Sequence, residues 1–184
     1  MPKKSKKMRV AVCVLLAVVL VSTFVSARRG LSAVLDSVEA AFIEGTDGSG
    51  YSIYTDLQSR AALARNLKTV ALRYLEEDAA CIRELDAAAN RLEGERDPGR
   101  ACSANKALSE AAAAVNAELE ALELSDTDEN YRIGIMTDLE SYNATISHDG
   151  YNEYVKSVNE ETLSRFPANI FRIITFTPSA QYYR

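Results

Sequence analysis

Residues 51–93 form a run of 43 residues that contains neither glycine nor proline. Apolar side chains recur along this run in steps of three and four, which is the spacing of one face of an α-helix. These side chains belong to Leu57, Ala61, Ala64, Leu67, Ala71, Leu75, Ala79, Ile82, Leu85, Ala89 and Leu92. A helix of this length would measure about 60 Å and needs other helices to cover its apolar stripe. The run therefore predicts one long helix of a bundle, ended by a turn at residues 94–99.

Two further helices are predicted by the same spacing. The first covers about Ser103 to Leu124, and the second begins near Thr127 and ends at Pro167, which cannot continue a helix. The apolar stripe of the second helix slips by one residue at Asp149-Gly150, so we expect a kink, a local bulge or a short break there. Upstream, residues 31–44 predict a short amphipathic helix, which either continues the N-terminal apolar segment or is interrupted near Gly30.

The composition favours helix throughout. Alanine, leucine and glutamate are abundant, whereas the chain has only 8 glycines and 4 prolines. We expect an all-α fold, with an N-terminal membrane helix, an antiparallel up-and-down bundle of three to four long helices, and an extended C-terminal tail. The β-branched and aromatic residues 170–176 of this tail are expected to pack along the bundle, with a short strand as the alternative. Candidate anchoring side chains in the tail are Phe171, Phe176, Tyr182 and Tyr183.

The N-terminus predicts a membrane-targeting segment. Val10 to Ala27 is a stretch of eighteen residues without a charge, and five basic residues precede it within residues 1–9. As a helix it would span roughly 27 Å, close to the thickness of the hydrocarbon core of a membrane. Val25-Ser26-Ala27 also has the small residues of a signal-peptide cleavage site. Residues 10–27 are therefore either a retained transmembrane anchor or a signal peptide cleaved after Ala27, and residues 28–184 form one domain.

The charge distribution predicts the orientation of the chain. The positive-inside rule places the basic residues 1–9 in the cytoplasm and residues 28–184 outside the cell membrane. With five of the 21 basic residues in the first nine positions, the outer part keeps 16 Lys and Arg against 26 Asp and Glu, a net charge of −10. This acidic balance argues against nucleic acid or anionic lipid as a partner and is typical of a well-solvated surface.

Residues with catalytic or metal-binding chemistry are scarce. The single histidine, His148, excludes the HExxH motif and the Glu-x-x-His pairs of a di-iron bundle site. Ser147, His148 and Asp149 are consecutive, so they point in different directions around a helix, and we interpret them as part of its irregularity. Cys81 and Cys102 would lie too far apart on the predicted helices for a disulfide, so we expect free thiols. The sequence predicts no enzyme activity, no cofactor and no metal site.

Two stretches resemble the LemA family of bacterial membrane proteins. The first is Leu57-Gln58-Ser59-Arg60-Ala61-Ala62-Leu63-Ala64-Arg65-Asn66-Leu67, in which a Leu, an Arg-Ala pair and a Leu precede Asn-Leu. The second is a closing run with the elements Asp138-Leu139-Glu140, Tyr151-Asn152-Glu153-Tyr154-Val155, Val158-Asn159 and Phe166-Pro167-Ala168-Asn169. The resemblance implies a single N-terminal membrane span, a long antiparallel helical bundle and no defining enzymatic activity, and it favours a retained anchor.

The residues that match the family are Arg60, Asn66, Tyr151, Asn152, Asn159, Phe166, Pro167 and Asn169. They form either a shared polar and aromatic patch or positions of helix packing and capping, and we favour packing and capping. Our leading hypothesis is a membrane-anchored interaction or scaffold module of the bacterial cell envelope. Residues 10–27 would insert into the lipid bilayer, and the bundle would bind an envelope protein or a second copy of itself. The alternative is a ligand-sensing bundle, secreted or anchored, that binds a small molecule between helices near Asp149-Gly150.

Overall fold

The structure, a computed structural model, describes residues 3–184. Its α-helices are α1 (Lys3–Glu44), α2 (Ile53–Ala71), α3 (Ala80–Leu92), α4 (Pro98–Glu120), α5 (Asp126–Ser147), α6 (Tyr151–Ser157) and α7 (Ala168–Thr175), and a π-helix covers Val158–Leu163. No strand occurs within residues 3–184, so the expected all-α class is confirmed. Residues 1 and 2 of the predicted basic segment 1–9 lie outside the described residues.

The chain forms two compact units. We call the first the anchor unit; it comprises the residues up to Val38 together with Lys156–Ala180. The second, which we call the bundle unit, comprises Glu39–Val155 together with Gln181–Arg184.

Helix α2 is the centre of the bundle unit, where it contacts α3, α4 and α5. Lys68, near the C-terminal end of α2, pairs with Asp86 of α3. Gln58, near the N-terminal end of α2, accepts a hydrogen bond from the Gly94 N–H, which follows the C-terminal end of α3. The two helices are thus antiparallel. On its other side α2 is antiparallel to α5, because Arg60 meets Leu139 and Tyr74, beyond the end of α2, meets Asp128. The predicted up-and-down arrangement follows from these pairs.

The prediction of one helix over residues 51–93 is wrong. The chain leaves the helix after Ala71 and starts α3 at Ala80. The connecting segment is bonded to the start of α5: the Tyr74 hydroxyl donates to Asp128 Oδ2 over 2.7 Å and accepts from the Ser125 N–H over 3.1 Å. These bonds supply a local alternative to helix that the intrinsic propensity of the segment cannot reveal. The break also folds the long apolar stripe into two shorter helices that cover each other.

Two predicted boundaries move for reasons of capping. The α3–α4 turn ends earlier than expected because Asp97 caps α4, its Oδ1 accepting from the Arg100 N–H over 2.8 Å, and Pro98 takes the first helical position. Helix α4 ends at Glu120 rather than near Leu124. Helix α5 begins at Asp126, one residue before the predicted start, and Ser125 caps it by accepting from the Asp128 N–H over 3.2 Å.

Helix α1 is continuous through Gly30, so residues 31–44 continue the apolar segment. It ends at Gly45, whose φ of 90° lies in the left-handed region. A side chain at Gly45 would clash with the Tyr51 carbonyl oxygen, so glycine is required there. At the C-terminal end of α1, in the bundle unit, Phe42 is fully buried. Its ring packs on Tyr54, Tyr151 and Tyr183, with centroids 6.3, 5.5 and 6.4 Å away.

The slip at Asp149-Gly150 is a short break, one of the three expected outcomes. Helix α5 ends at Ser147 and α6 begins at Tyr151, whose N–H donates to Asp149 Oδ1 over 2.7 Å. The π-helix Val158–Leu163 was not predicted, and it ends the helical run before Pro167 does. A one-residue widening of the turn explains how Val158 and Leu163, five residues apart, are both buried.

The C-terminal tail differs from its prediction in one part. Residues 170–176 do not form a strand: α7 covers Ala168–Thr175, and residues 177–184 carry no helix or strand. Tyr183 is an anchor of the tail, as expected, whereas Phe176 is not, because 91% of its surface is exposed. Phe171 and Tyr182 are half-buried.

Candidate functional site

The eight residues that carry the family resemblance are divided equally between the bundle unit and the anchor unit. Arg60 and Tyr151 are buried, whereas Asn66 and Phe166 are exposed. Pro167 follows a cis peptide bond and directly precedes α7. The remaining three positions are Asn152, Asn159 and Asn169, all half-buried. The eight positions therefore differ in burial and in surroundings.

Three of these residues hold the C-terminal tail. Asn152 makes a pair of backbone bonds in the bundle unit: its Nδ2 donates to the Tyr183 carbonyl over 3.0 Å, and its Oδ1 accepts from the Tyr183 N–H over 2.9 Å. Asn159 makes the same pair with Ala180 in the anchor unit, at 3.0 and 2.9 Å. The Tyr151 hydroxyl donates to the Gln181 carbonyl over 2.9 Å. An amide side chain is suited to this pairing because it offers one donor and one acceptor side by side, as a strand neighbour does.

Arg60 is the most deeply buried charged side chain of the bundle, with 2% of its surface exposed. Its guanidinium donates to the Leu139 carbonyl and, over 2.6 Å, to Ser109 Oγ. No carboxylate pairs with it among residues 3–184, and its Nε–H has no hydrogen-bond partner within the same residues. Burial lowers the pKa of Arg60 from its ordinary value. A buried cation held by neutral groups alone lowers the stability of the fold, and such strained positions are candidates for functional sites.

A groove opens beside Arg60 between α4 and α5, which make far less contact with each other than α2 makes with α5. It consists of two adjoining cavities that share Ser109 and Asn143, one of about 190 Å³ at Arg60 and one of about 510 Å³ that reaches Tyr183. The larger cavity lies at the break between α5 and α6, near Asp149-Gly150, where the ligand-sensing alternative places a small molecule. Its volume is in the range of small-molecule sites in proteins.

Two polar atoms in this groove lack partners. Asn105 is buried, and its Nδ2 donates to Asn143 Oδ1 over 3.1 Å, but its Oδ1 has no hydrogen-bond partner in the described part of the chain. The hydroxyl of Tyr183, a residue that lines the larger cavity, likewise has no hydrogen-bond partner in the described part of the chain. Burial, and after it the nearby Cys102, raises the pKa of Tyr183, and the interaction with the Asn105 side chain offsets a part of the shift. Unsatisfied buried polar groups are unusual in folded proteins, and both of these belong to residues that line the larger cavity.

The rim of the groove is acidic. Glu110, Glu140, Asp149 and Glu153 border the two cavities, against two basic residues, the exposed Lys106 and the buried Arg60. A carboxylate-rich entrance attracts cationic groups and repels anions. The arrangement can therefore attract a basic or zwitterionic group to the entrance. A larger depression of about 680 Å³ at the α3–α4 turn offers less, since the charged pair on its wall, Arg100 and Glu95, is already bonded.

Ser147, His148 and Asp149 do not form a relay. His148 is exposed, with Nδ1 at 2.8 Å from the Ala144 carbonyl and 3.1 Å from Ser147 Oγ. Asp149 accepts from the Tyr151 N–H instead of orienting the imidazole. The three residues terminate α5 and start α6, as we interpreted them from the sequence.

The other chemical candidates are the cysteines and metal ligands. Cys81 and Cys102 are both free, as predicted, and Cys102 is buried. Within the described residues no group of three or more His, Cys, Asp and Glu side chains is placed to hold a metal ion.

Sequence reasoning missed the groove residues Asn105, Ser109 and Asn143, and it identified Tyr183 only as an anchor of the tail. Asn105 was the only detectable one, because it is a polar residue directly beside the apolar stripe of α4 at Ala104 and Leu108. The others stand at ordinary surface positions of their helices or in the tail. Their convergence depends on how far α4 and α5 separate, which one sequence does not encode in a readable pattern.

One helix, over Met8–Glu44, is long and apolar enough to cross a membrane, and its most apolar stretch is not buried by the protein. The N-terminal segment is thus a candidate single membrane span or signal sequence. No family model, no curated protein and no solved structure matches this chain. The similarity to the LemA family therefore depends on the quoted residues alone.

Proposed function

We propose that this protein is a membrane-anchored, non-catalytic binding module of the bacterial cell envelope, whose bundle unit lies outside the cytoplasmic membrane. The groove between α4 and α5 carries the proposal: it combines about 510 Å³ of space, unpaired polar atoms and an acidic rim. The basic N-terminal flank and the uncovered apolar helix support the anchor and its orientation. The resemblance to the LemA family points the same way.

The occupant that fits best is a basic segment of an envelope protein or of a second copy of this chain. The four rim carboxylates would receive Lys or Arg side chains, and the groove amides would pair with the backbone of the segment. The small residues of the helix stripes cannot form this interface, since Ala61, Ala64 and Ala111 are already buried inside the bundle.

The test is site-specific photo-crosslinking of the full chain in native membranes. A photoreactive residue replaces Lys106 on the groove rim, and the matched control replaces Tyr131, an exposed residue of α5 that does not line either cavity. We expect a discrete protein adduct from position 106 and none from position 131. Equal labelling at both positions, or none at either, would contradict the interaction role. The intact mass of the same sample distinguishes an uncleaved chain from one that begins at Arg28.

The second candidate is a sensor of a small cationic or zwitterionic metabolite, and the cavity at the α5–α6 break specifically favours it. A ligand present at 100 times its Kd stabilises the folded state by about 2.7 kcal/mol, which raises Tm by roughly 5–10 °C for a domain of this size. A panel of amine-containing metabolites should then shift Tm of the wild type. The same shift in an Asn105→Ala variant would place the binding elsewhere, and no shift across the panel would remove the sensor role.

A further inference from the structure

Helix α7 carries an apolar face that the protein leaves uncovered. Ile170, Ile173 and Ile174 follow the i, i+3, i+4 spacing of one helix side and are all exposed, Ile173 to 72%. Phe166 before the helix and Phe176 after it are exposed to 78% and 91%. Five large apolar side chains exposed within eleven residues form a surface that soluble monomers rarely leave in water.

The position of α7 within the anchor unit indicates what covers this face. Phe171 and Ile174 of α7 border an open apolar cavity of about 370 Å³, and its other walls are Leu20, Val21, Thr23 and Phe24 of α1. These α1 residues belong to the apolar segment 10–27. At 1.5 Å per residue, Phe24 lies about 5 Å and Leu20 about 10 Å before the end of the segment at Ala27. An interfacial amphipathic helix inserts its apolar face about 5–10 Å into the headgroup and acyl boundary.

The charge of the segment fits the same environment. The outer part of the chain has a net charge of −10, yet Ser164 to Arg184 contains no Asp or Glu and three arginines. Arg165 is exposed, and Arg172 on α7 is half-buried, its Nη1 donating to Ser179 Oγ over 3.0 Å. Carboxylates are repelled by lipid phosphates, whereas arginines are attracted by them.

We infer that α7 is an interfacial membrane helix, which lies in the headgroup and acyl boundary on the Arg28 side of the span and holds the C-terminal segment to the lipid. The inference rests on the proposed retention of residues 10–27 as the anchor. It assigns lipid, and not a protein, to the face formed by Phe166, Ile170, Ile173, Ile174 and Phe176.

The chain contains no tryptophan, so a single introduced tryptophan reports its own depth without background. The full-length protein is reconstituted in vesicles of phosphatidylcholine and phosphatidylglycerol, with lipids brominated either near the headgroup or deep in the acyl chain. Ile173→Trp reports on α7, Leu16→Trp on the middle of the span, and Tyr131→Trp on the exposed face of α5 in the bundle unit. Phe176→Trp is a second reporter at the end of α7, at a position with little packing to disturb.

We expect the tryptophans at positions 173 and 176 to emit at shorter wavelength and to be quenched more by shallow than by deep bromines. The tryptophan at position 16 should be quenched more by deep bromines. The tryptophan at position 131 should be quenched by neither. Quenching at Leu16 with water-like emission and no quenching at both α7 positions would overturn the inference and leave the anchor intact. Blue-shifted emission at α7 without quenching would assign the face to protein and also overturn it. An unquenched Leu16 reporter would refute the anchor itself.

Discussion

Replacing Phe42 by alanine is expected to destabilise the bundle unit by about 4 kcal/mol. The side chain is fully buried, and truncating a buried phenylalanine costs about 3–5 kcal/mol through lost burial and the cavity left behind. The three tyrosine rings around it, with centroids at 5.5 to 6.4 Å, each add up to about 1 kcal/mol of ring interaction, although such terms do not simply add. Because domains are stable by only about 5–15 kcal/mol, the loss is large.

The measurement is urea unfolding of the full chain in detergent, followed by the near-ultraviolet circular dichroism of its nine tyrosines, with far-ultraviolet signal as the check on helix content. The matched control is Tyr51→Ala, which truncates an aromatic side chain that is 84% exposed and lies close in sequence. We expect Tyr51→Ala to change the free energy of unfolding by less than about 0.5 kcal/mol. The Phe42→Ala variant should also lower Tm by roughly 10–20 °C.

A Phe42→Ala loss below about 1.5 kcal/mol, or one equal to that of the Tyr51→Ala control, would refute the reasoning. It would mean that the ring cluster of Phe42, Tyr54, Tyr151 and Tyr183 is not the place where the end of α1 and the C-terminal tail are fixed into the bundle.

Three further predictions concern single polar residues. Arg60→Met should leave Tm unchanged or raise it, because the buried guanidinium has no carboxylate partner, and a fall in Tm of more than about 5 °C would show that its bonds to Leu139 and Ser109 outweigh the desolvation. Asn152→Ala should lower the free energy of unfolding by about 1–2 kcal/mol and speed carboxypeptidase digestion of the tail. Asn152→Asp should digest at an intermediate rate because it keeps the acceptor for the Tyr183 N–H. Equal digestion rates of the wild type and the alanine variant would contradict the pairing. Hydrogen bonds from the Tyr74 hydroxyl first, then Ser125 and Arg73, hold the pKa of Asp128 below its ordinary value. The stabilisation is therefore fully present above pH about 4 and is lost as the pH falls through the lowered pKa. Asp128→Asn should lower Tm at pH 7, and the difference from the wild type should shrink as the pH falls below about 4; a difference independent of pH would contradict the linkage.

The helical class, the positions of α4 and α5, the break at Asp149-Gly150 and the N-terminal apolar helix were all predictable from local patterns. Spacing of apolar residues and the scarcity of glycine and proline act within a few turns of chain, so one sequence contains them in readable form. The free state of Cys81 and Cys102 followed as well, because it depends only on helix length and the reach of a disulfide. Even the tail anchor Tyr183 was among the expected contacts.

The tertiary structure decided the rest. The break after Ala71 depends on Asp128 and Ser125, more than fifty residues away, and the groove depends on how far α4 separates from α5. The resemblance indicated Arg60 as a candidate patch or packing residue, but its burial against Leu139 and Ser109 is visible only in the structure. Each of these features is set by the meeting of distant segments, where burial and unsatisfied hydrogen bonds outweigh the fraction of a kcal/mol per residue that local propensity supplies.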